Sequence, residues 1–282
     1  MKKQGSTSGG SALSKKRLAV IGAGKIGSIL LQGMIEHGLF ERELVTATVH
    51  HEEKVEAVRK VLKVKVGNDN VSAVRNAEVV LICVKPQTVG QVMEQIAPVV
   101  TSKQLLISVA ASVPTDYMEK RLPDKAHIIR AMPNTPSMVG RGMTAICRGK
   151  FATDSDVSLA QSLFNTIGRT VVVDEKHMDA ITGLSASGPA FIYIMLESLA
   201  EGGVKVGLPR DLATLLAAQT TLGAAKMVLE TGHHPALLKD AVTTPAGCTI
   251  DGILELEEGG LRVTLIKAVV KAASRAKELV FS

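Results

Sequence analysis

Residues 17–33 read RLAVIGAGKIGSILLQG, and this stretch narrows the possible folds more than any other. After Arg17, Leu18-Ala19-Val20-Ile21 is a compact apolar run of the kind that forms a buried strand, and Gly22-Ala23-Gly24-Lys25-Ile26-Gly27 follows it at once with the spacing G-x-G-x-x-G. Strand, glycine turn and helix in that order predict a dinucleotide site. Gly22 allows the tight turn, Gly24 lets the backbone approach a pyrophosphate, and Gly27 lets the helix lie close to the strand. The first amides of the helix, from Lys25 and Ile26 to Gly27, then face the anion.

The pattern repeats downstream. Apolar strands are expected at residues 44–49, 64–66, 79–84, 105–109, 126–131, 143–147 and 170–173. Helices are expected at 25–37, 52–62, 70–76, 89–96, 114–121 and 155–166. Continuous apolar strands alternating with amphipathic helices imply an α/β Rossmann-type, doubly wound, mostly parallel sheet. Past Asp174 no convincing strand appears, and helical patterns at 189–206, 209–229 and 261–279 predict an all-α second domain. Gly202-Gly203 and Gly207 read as punctuating the first of these helices, and Gly232 as ending the second. The expected division is residues 1–16 as a flexible leader or tag, 17–174 as an NADP-binding Rossmann domain, and 175–282 as an all-α dimerisation and substrate domain. Helices such as Leu212-Ala213-Thr214-Leu215-Leu216-Ala217-Ala218 are too apolar all round for a monomer's surface, which points to a homodimer through this domain.

Composition removes several other classes. The net charge of +6 is concentrated in Lys2, Lys3, Lys15, Lys16 and Arg17, so the remainder of the chain is nearly neutral. With no Trp and only Tyr117 and Tyr193, the chain lacks the stacking surfaces that single-stranded nucleic acid requires. The leader has no apolar segment typical of a signal peptide, and apolar runs such as 79–84 are too short to span a bilayer. Cys83, Cys147 and Cys248 are far apart and without C-x-x-C spacing, so neither a metal site nor a disulfide framework is expected. A cytoplasmic, soluble protein acting on a small molecule is the expectation.

The end of the second strand bears on the cofactor. NAD enzymes of this fold place an acid there to hold the ribose 2′-OH, whereas this chain reads Thr48-Val49-His50-His51. Without the acid a 2′-phosphate is not repelled, and His50, His51 and Lys54 offer positive charge. NADPH is favoured over NADH, with Glu52 and Glu53 immediately downstream opposing that preference.

A second informative stretch lies at residues 242–252, VTTPAGCTIDG. Thr244 before Pro245 has the form of an N-cap followed by proline at the first helical position, which would present the amides of Ala246, Gly247, Cys248 and Thr249 at a helix start. Such an end suits a carboxylate, and an ordinary capped helix is the alternative.

Taken with Val84-Lys85-Pro86, Met132-Pro133-Asn134-Thr135-Pro136, residues 182–190 (TGLSASGPA), 202–208 (GGVKVGL) and Leu238-Lys239-Asp240, the glycine loop and the 242–252 segment make the chain resemble the pyrroline-5-carboxylate reductase family from about Arg17 to Ser282. The resemblance implies a Rossmann domain joined to a helical domain that interlocks with its partner. It also implies dimers that in many members assemble into larger rings, and an active site completed by a neighbouring subunit. It places Asn70, Val84, Lys85, Pro86 and Ala110 along the cofactor, and Thr244, Ala246, Gly247, Cys248 and Thr249 around the substrate's carboxylate and ring nitrogen. The chain departs from the family pattern at Ala246, where a second glycine is common, and at Thr244, where Ser is common.

The activity implied is hydride transfer from NADPH to the C=N carbon of Δ1-pyrroline-5-carboxylate. A protonated imine is already electrophilic, so positioning supplies much of the catalysis, and Thr249 is the residue placed to hydrogen-bond the nitrogen or relay a proton. Lys85, ahead of Pro86 at a strand end, reads as a backbone turn and His233-His234 as a polar helix junction. A β-hydroxyacid-type dehydrogenase would need a helical lysine within its glycine-rich motif, which residues 185–190 lack. A non-catalytic NADP-binding protein is the remaining alternative.

Overall fold

A computed structural model of the chain describes residues 14–278. The leader expected at 1–16 therefore falls almost wholly outside the described residues. The chain divides into two compact units, Met1–Ala186 with Ala272–Ser282, and Ser187–Lys271.

The first unit is built on an eight-stranded sheet in the order β3-β2-β1-β4-β5-β6-β7-β8. The strands are β1 Leu18–Ile21, β2 Val45–Thr48, β3 Lys65–Gly67, β4 Val79–Ile82, β5 Leu105–Ser108, β6 His127–Met132, β7 Gly142–Arg148 and β8 Gly168–Val172. Strands β1 to β6 are mutually parallel. β7 runs antiparallel to β6, with Arg130 opposite Cys147, and β8 is parallel to β7. The connecting helices are α1 Lys25–Glu36, α2 Val55–Leu62, α3 Asn70–Arg75, α4 Val89–Ile96, α5 Thr115–Glu119 and α6 Asp154–Asn165.

The pleat sorts the apolar strand residues into two cores. Leu18 and Val20 join Leu30, Leu31 and Met34 of α1 with Leu163 and Phe164 of α6 on one face. Ala19 and Ile21 join Val74, Met93, Ile96 and Met118 on the other. Coverage on both faces is why these strands carry continuous apolar runs rather than alternating ones. Beyond the sheet, α7 Met178–Ile181 passes into a π-helical turn at Thr182–Ala186.

Buried Arg130 on β6 meets the start of this helical stretch. Its guanidinium donates to Glu175 Oε1 at 3.2 Å and to Asp179 Oδ1 at 3.4 Å, while Thr115 donates to Glu175 from its amide at 2.8 Å and its hydroxyl at 2.6 Å. A guanidinium buried this deeply requires that pairing.

The second unit is helical: α8 Gly188–Lys205, α9 Arg210–Thr231, α10 Pro235–Ala241, α11 Cys248–Glu258 and most of α12 Leu261–Glu278. No strand follows β8 among the described residues. Its buried positions are small, Ala200, Ala213 and Ala217, and Gly203 lies where a Cβ would stand 3.0 Å from that of Ala213. Gly202 and Gly203 thus sit inside α8 rather than punctuating it. Gly232 does cap α9, in the left-handed region with φ +68°.

Large apolar side chains on these helices face outward, among them Ile194, Leu215, Leu222, Leu254, Ile266 and Val270, each more than half exposed. The helical stretches Glu175–Lys205 and Arg210–Thr231 are long and apolar enough to cross a membrane by length and composition. No uninterrupted apolar run of spanning length marks these stretches in the sequence, because isolated polar residues break the runs while the average stays apolar.

One local expectation is overturned. Thr244 does not cap a helix and Pro245 is not its first residue. The Gly247 amide donates to the Thr244 carbonyl at 3.0 Å, closing a β-turn with Pro245 and Ala246 at its centre, and Ala246 lies at φ +57°. Helix α11 begins at Cys248 with Gly247 as N-cap. Proline at the second position of a turn that needs a left-handed third residue competes with proline at a helix start, and here the turn prevails.

Candidate active site

The glycine loop lies at the carboxyl edge of the sheet, between β1 and α1. Gly22 has φ +89°, and a Cβ there would stand 2.8 Å from Val84 Cγ1. A Cβ on Gly27 would overlap the Gly22 carbonyl oxygen and lie 3.1 Å from the Cys83 Cβ, whereas a Cβ on Gly24 would meet nothing within 4 Å. Gly22 and Gly27 are therefore required by the fold itself. Gly24 borders open space in front of a helix N-terminus that carries no side-chain cap. This is the geometry a pyrophosphate needs: unshielded amides, a favourable helix dipole and room for the backbone to approach. Lys25 and Ile26 are exposed in the first turn of α1.

The other residues assigned to the cofactor cluster along the same edge, at or beyond the ends of β2, β3, β4 and β5. The order β2-β1-β4 puts the topological switch point beside the glycine loop. Val84, Lys85 and Pro86 follow β4. The Lys85 carbonyl accepts the Thr88 amide at 3.0 Å and hydroxyl at 2.9 Å, so Lys85 starts a 3-10 turn, and its side chain is exposed. Ala110 is buried just past β5, its amide donating to Ser108 Oγ at 3.3 Å. His50 and His51 are exposed beyond β2 with ring centroids 4.7 Å apart, and Glu53 Oε1 lies 3.6 Å from His51 Nδ1.

The segment assigned to the substrate belongs to the other compact unit. Thr244–Gly247 forms the turn described above, and Cys248 and Thr249 open α11. That helix has eleven residues, and its N-terminus is uncapped by any side chain. A Cβ on Gly247 would overlap Thr244 Oγ1, so this glycine lets the Thr244 hydroxyl fold over the turn. Free amides at Cys248 and Thr249, with two threonine hydroxyls nearby in sequence, suit a small carboxylate. The structure thus keeps the cofactor and substrate sets each together, on different compact units.

The comparisons with known proteins cover nearly the whole chain. A family profile described as pyrroline-5-carboxylate reductase dimerisation matches residues 175–279, and one described as NADP oxidoreductase coenzyme F420-dependent matches residues 17–112. The pyrroline-5-carboxylate reductase of Methanosarcina acetivorans is 43% identical over 267 residues, covering 95% of this chain and 99% of that one. The Glycine max enzyme of the same name is 45% identical over 263 residues, covering 93% and 95%.

The chain belongs to the pyrroline-5-carboxylate reductase family.

Solved structures agree. The Plasmodium falciparum pyrroline carboxylate reductase with NADP bound superposes with a TM-score of 0.87 at 29% identity, covering 95% of this chain and 99% of that one. The Coxiella burnetii pyrroline-5-carboxylate reductase gives 0.85 at 35% identity, with the same coverage. As a member of the family this chain is an NADP-dependent oxidoreductase that forms a homo-oligomer. The dimerisation profile also accounts for the outward apolar faces of α8, α9, α11 and α12.

Sequence reasoning missed several polar contacts. Asn134 in the Met132–Pro136 motif accepts the Met143 amide at 2.9 Å and donates to the Ser185 carbonyl at 3.1 Å, inside the π-helical turn. Thr48 bonds both to the glycine loop and to Asn70. The motifs were visible in the sequence, but their partners lie 9 to 51 residues away, beyond any local periodicity.

Burial pushes the Cys83 thiol up, and burial together with the nearby Glu175 carboxylate pushes Cys147 up to about 12. Both stay neutral thiols, and neither has the activated character of a nucleophile. Among the described residues no group of three His, Cys, Asp or Glu is placed to hold a metal.

Proposed function

We propose that the chain catalyses the NADPH-dependent reduction of Δ1-pyrroline-5-carboxylate to L-proline. The observation that carries this reading is the match, above 40% identity and along more than nine-tenths of the chain, to enzymes named for that reaction. NADPH, when bound, supplies a hydride to the imine carbon.

The chain's own residues bind and orient. Gly22, Gly24 and the first turn of α1, with Lys25, Ile26 and Gly27, hold the pyrophosphate. Asn70, Val84, Lys85, Pro86 and Ala110 line the rest of the cofactor, with the Lys85 side chain left out of the chemistry. His50 and His51 replace the acid that would repel a 2′-phosphate and set the preference for NADPH over NADH. The amides of Cys248 and Thr249, above the Thr244–Gly247 turn, hold the substrate carboxylate by charge-assisted hydrogen bonds.

The Thr249 hydroxyl donates to or relays a proton at the ring nitrogen. One hydride to carbon and one proton to nitrogen complete the secondary amine. Removing one such positioned hydrogen bond by Thr249→Ala is expected to remove about 1–3 kcal/mol of stabilisation.

The exposed apolar helices of the second unit cover one another in a homodimer, and rings of dimers are the next level of assembly. That covering, rather than a bilayer, is the role of the two long apolar helical stretches. The protein is soluble and cytoplasmic, and it binds neither nucleic acid nor membrane. The decisive assay mixes purified protein, NADPH and pyrroline-5-carboxylate and follows loss of nicotinamide absorbance with proline formed in equal amount. Turnover of a hydroxy acid instead, or no oxidation, overturns the reading. NADH outperforming NADPH at equal concentration overturns the role of His50 and His51.

A further inference from the structure

Thr48, the last residue of β2, is 2% exposed yet carries a hydroxyl where valine would pack equally well. Its carbonyl accepts two amides of the glycine loop, Gly22 N at 3.1 Å and Ala23 N at 2.7 Å. Gly22 N also lies 3.4 Å from Thr48 Oγ1, and Thr48 Oγ1 lies 2.7 Å from Asn70 Oδ1. Asn70 Nδ2 in turn lies 2.9 Å from Gln95 Oε1 on α4.

The direction of this chain is fixed at its start. A backbone N–H only donates, so the Thr48 hydroxyl accepts from Gly22 and must spend its single proton elsewhere. The acceptor in reach is the Asn70 carbonyl, which sets the amide with its NH2 turned away from Thr48. Gln95 takes one of those two protons. The other is unengaged among the described residues, on a side chain only partly buried at the carboxyl edge of the sheet.

We propose that Thr48 is a positioning residue for the dinucleotide, acting by holding the Asn70 amide so that one N–H is presented to an acceptor oxygen of the cofactor's ribose. The inference rests on the cofactor reading above. One buried hydroxyl thereby couples the pyrophosphate loop, through Gly22, to the ribose contact, through Asn70. Because a ribose oxygen is common to both nicotinamide cofactors, Thr48 governs affinity for the two alike, whereas His50 and His51 govern the ratio between them.

The test is a double-mutant cycle read by equilibrium binding, with nicotinamide fluorescence titration giving Kd for NADPH and NADH separately. Thr48→Val, which keeps shape and removes the hydroxyl, is expected to raise both Kd values about tenfold with their ratio unchanged. In turnover the loss is expected in KM for the cofactor rather than in kcat. Thr48→Ser, which restores the hydroxyl, is expected to return both within twofold of the parent. Asn70→Ala is expected to match Thr48→Val, and adding Thr48→Val to Asn70→Ala is expected to change Kd less than twofold, since the two act through one contact.

Wild-type affinity in Asn70→Ala overturns the proposal whether or not the Thr48 variants fold. So does a Thr48→Val loss that multiplies fully with that of Asn70→Ala. Failure of the parent protein to bind either nucleotide would instead overturn the cofactor reading on which the proposal stands.

Discussion

Ala246 offers a direct test of the turn that precedes α11. It holds φ at +57°, where the Cβ of an L-residue crowds the following carbonyl at a cost of about 1–2 kcal/mol. The residue is exposed, so its methyl gains no burial within the chain to offset that strain. Replacement by glycine removes the crowding but frees the unfolded chain, which costs about 0.4–1 kcal/mol. The difference leaves Ala246→Gly about 0.5–1 kcal/mol more stable, a rise in Tm of about 1–4 °C for a chain of this size. Thermal unfolding should be compared at fixed protomer concentration, because oligomerisation itself shifts Tm. Ala246→Val places a β-branched residue in the same conformation and should lower Tm. If glycine fails to raise Tm and valine leaves it unchanged, the left-handed turn is absent and the account of residues 244–247 is wrong. The same strain explains why glycine suits this position: the requirement lies in the backbone before it lies in the ligand.

Gly27→Ala should push α1 away from the glycine loop, because its Cβ would overlap the Gly22 carbonyl. NADPH affinity is expected to fall more than tenfold by fluorescence titration, and unchanged affinity would contradict the close helix–strand approach. With a disulfide reagent at pH 8, the native protein is expected to react rapidly at exposed Cys248 alone and at all three cysteines after denaturation. Rapid reaction of a second native thiol would refute the shielding of half-buried Cys83 or of buried Cys147. Cys147 is held neutral up to about 12 in the fold but ionises near its ordinary 9.0 when unfolded, so its contribution to stability is present below 9.0 and lost as pH rises toward 12. Urea denaturation across that window should show the decline, and Cys147→Ala should flatten it. Leu215→Asp places a charge on an outward apolar face of α9 and should convert the oligomer to smaller species by light scattering, whereas an unchanged mass would place the interface elsewhere.

Much of this molecule was legible in residue order. The strand and helix runs from Leu18 to Asn165 follow from local apolar periodicity, because the central strands β1, β4 and β5 are buried on both faces and the covering helices on one. The glycine loop was legible for the same reason, since strand, turn and helix are adjacent in sequence. The turn at Thr244–Gly247 was misread because proline satisfies two local rules at once, and nothing within the segment chooses between them. The short helix Pro235–Ala241 and the π-helical turn at Thr182–Ala186 escaped because neither spans enough residues to establish a period.

The sequence by itself determined that a dinucleotide-type loop begins the fold, that a helical second half follows it, and that no acid stands at the end of the second strand. Only the tertiary structure decided that Gly27 is excluded from carrying a side chain by Gly22, that Ala246 is left-handed, and that Thr48 joins Gly22 to Asn70. Periodicity records which face of an element is buried, because the chain repeats its own geometry every two or 3.6 residues. Hydrogen bonds between residues 22, 48, 70 and 95 depend on where separate strands and helices come to lie, and that arrangement exists only once the sheet has formed.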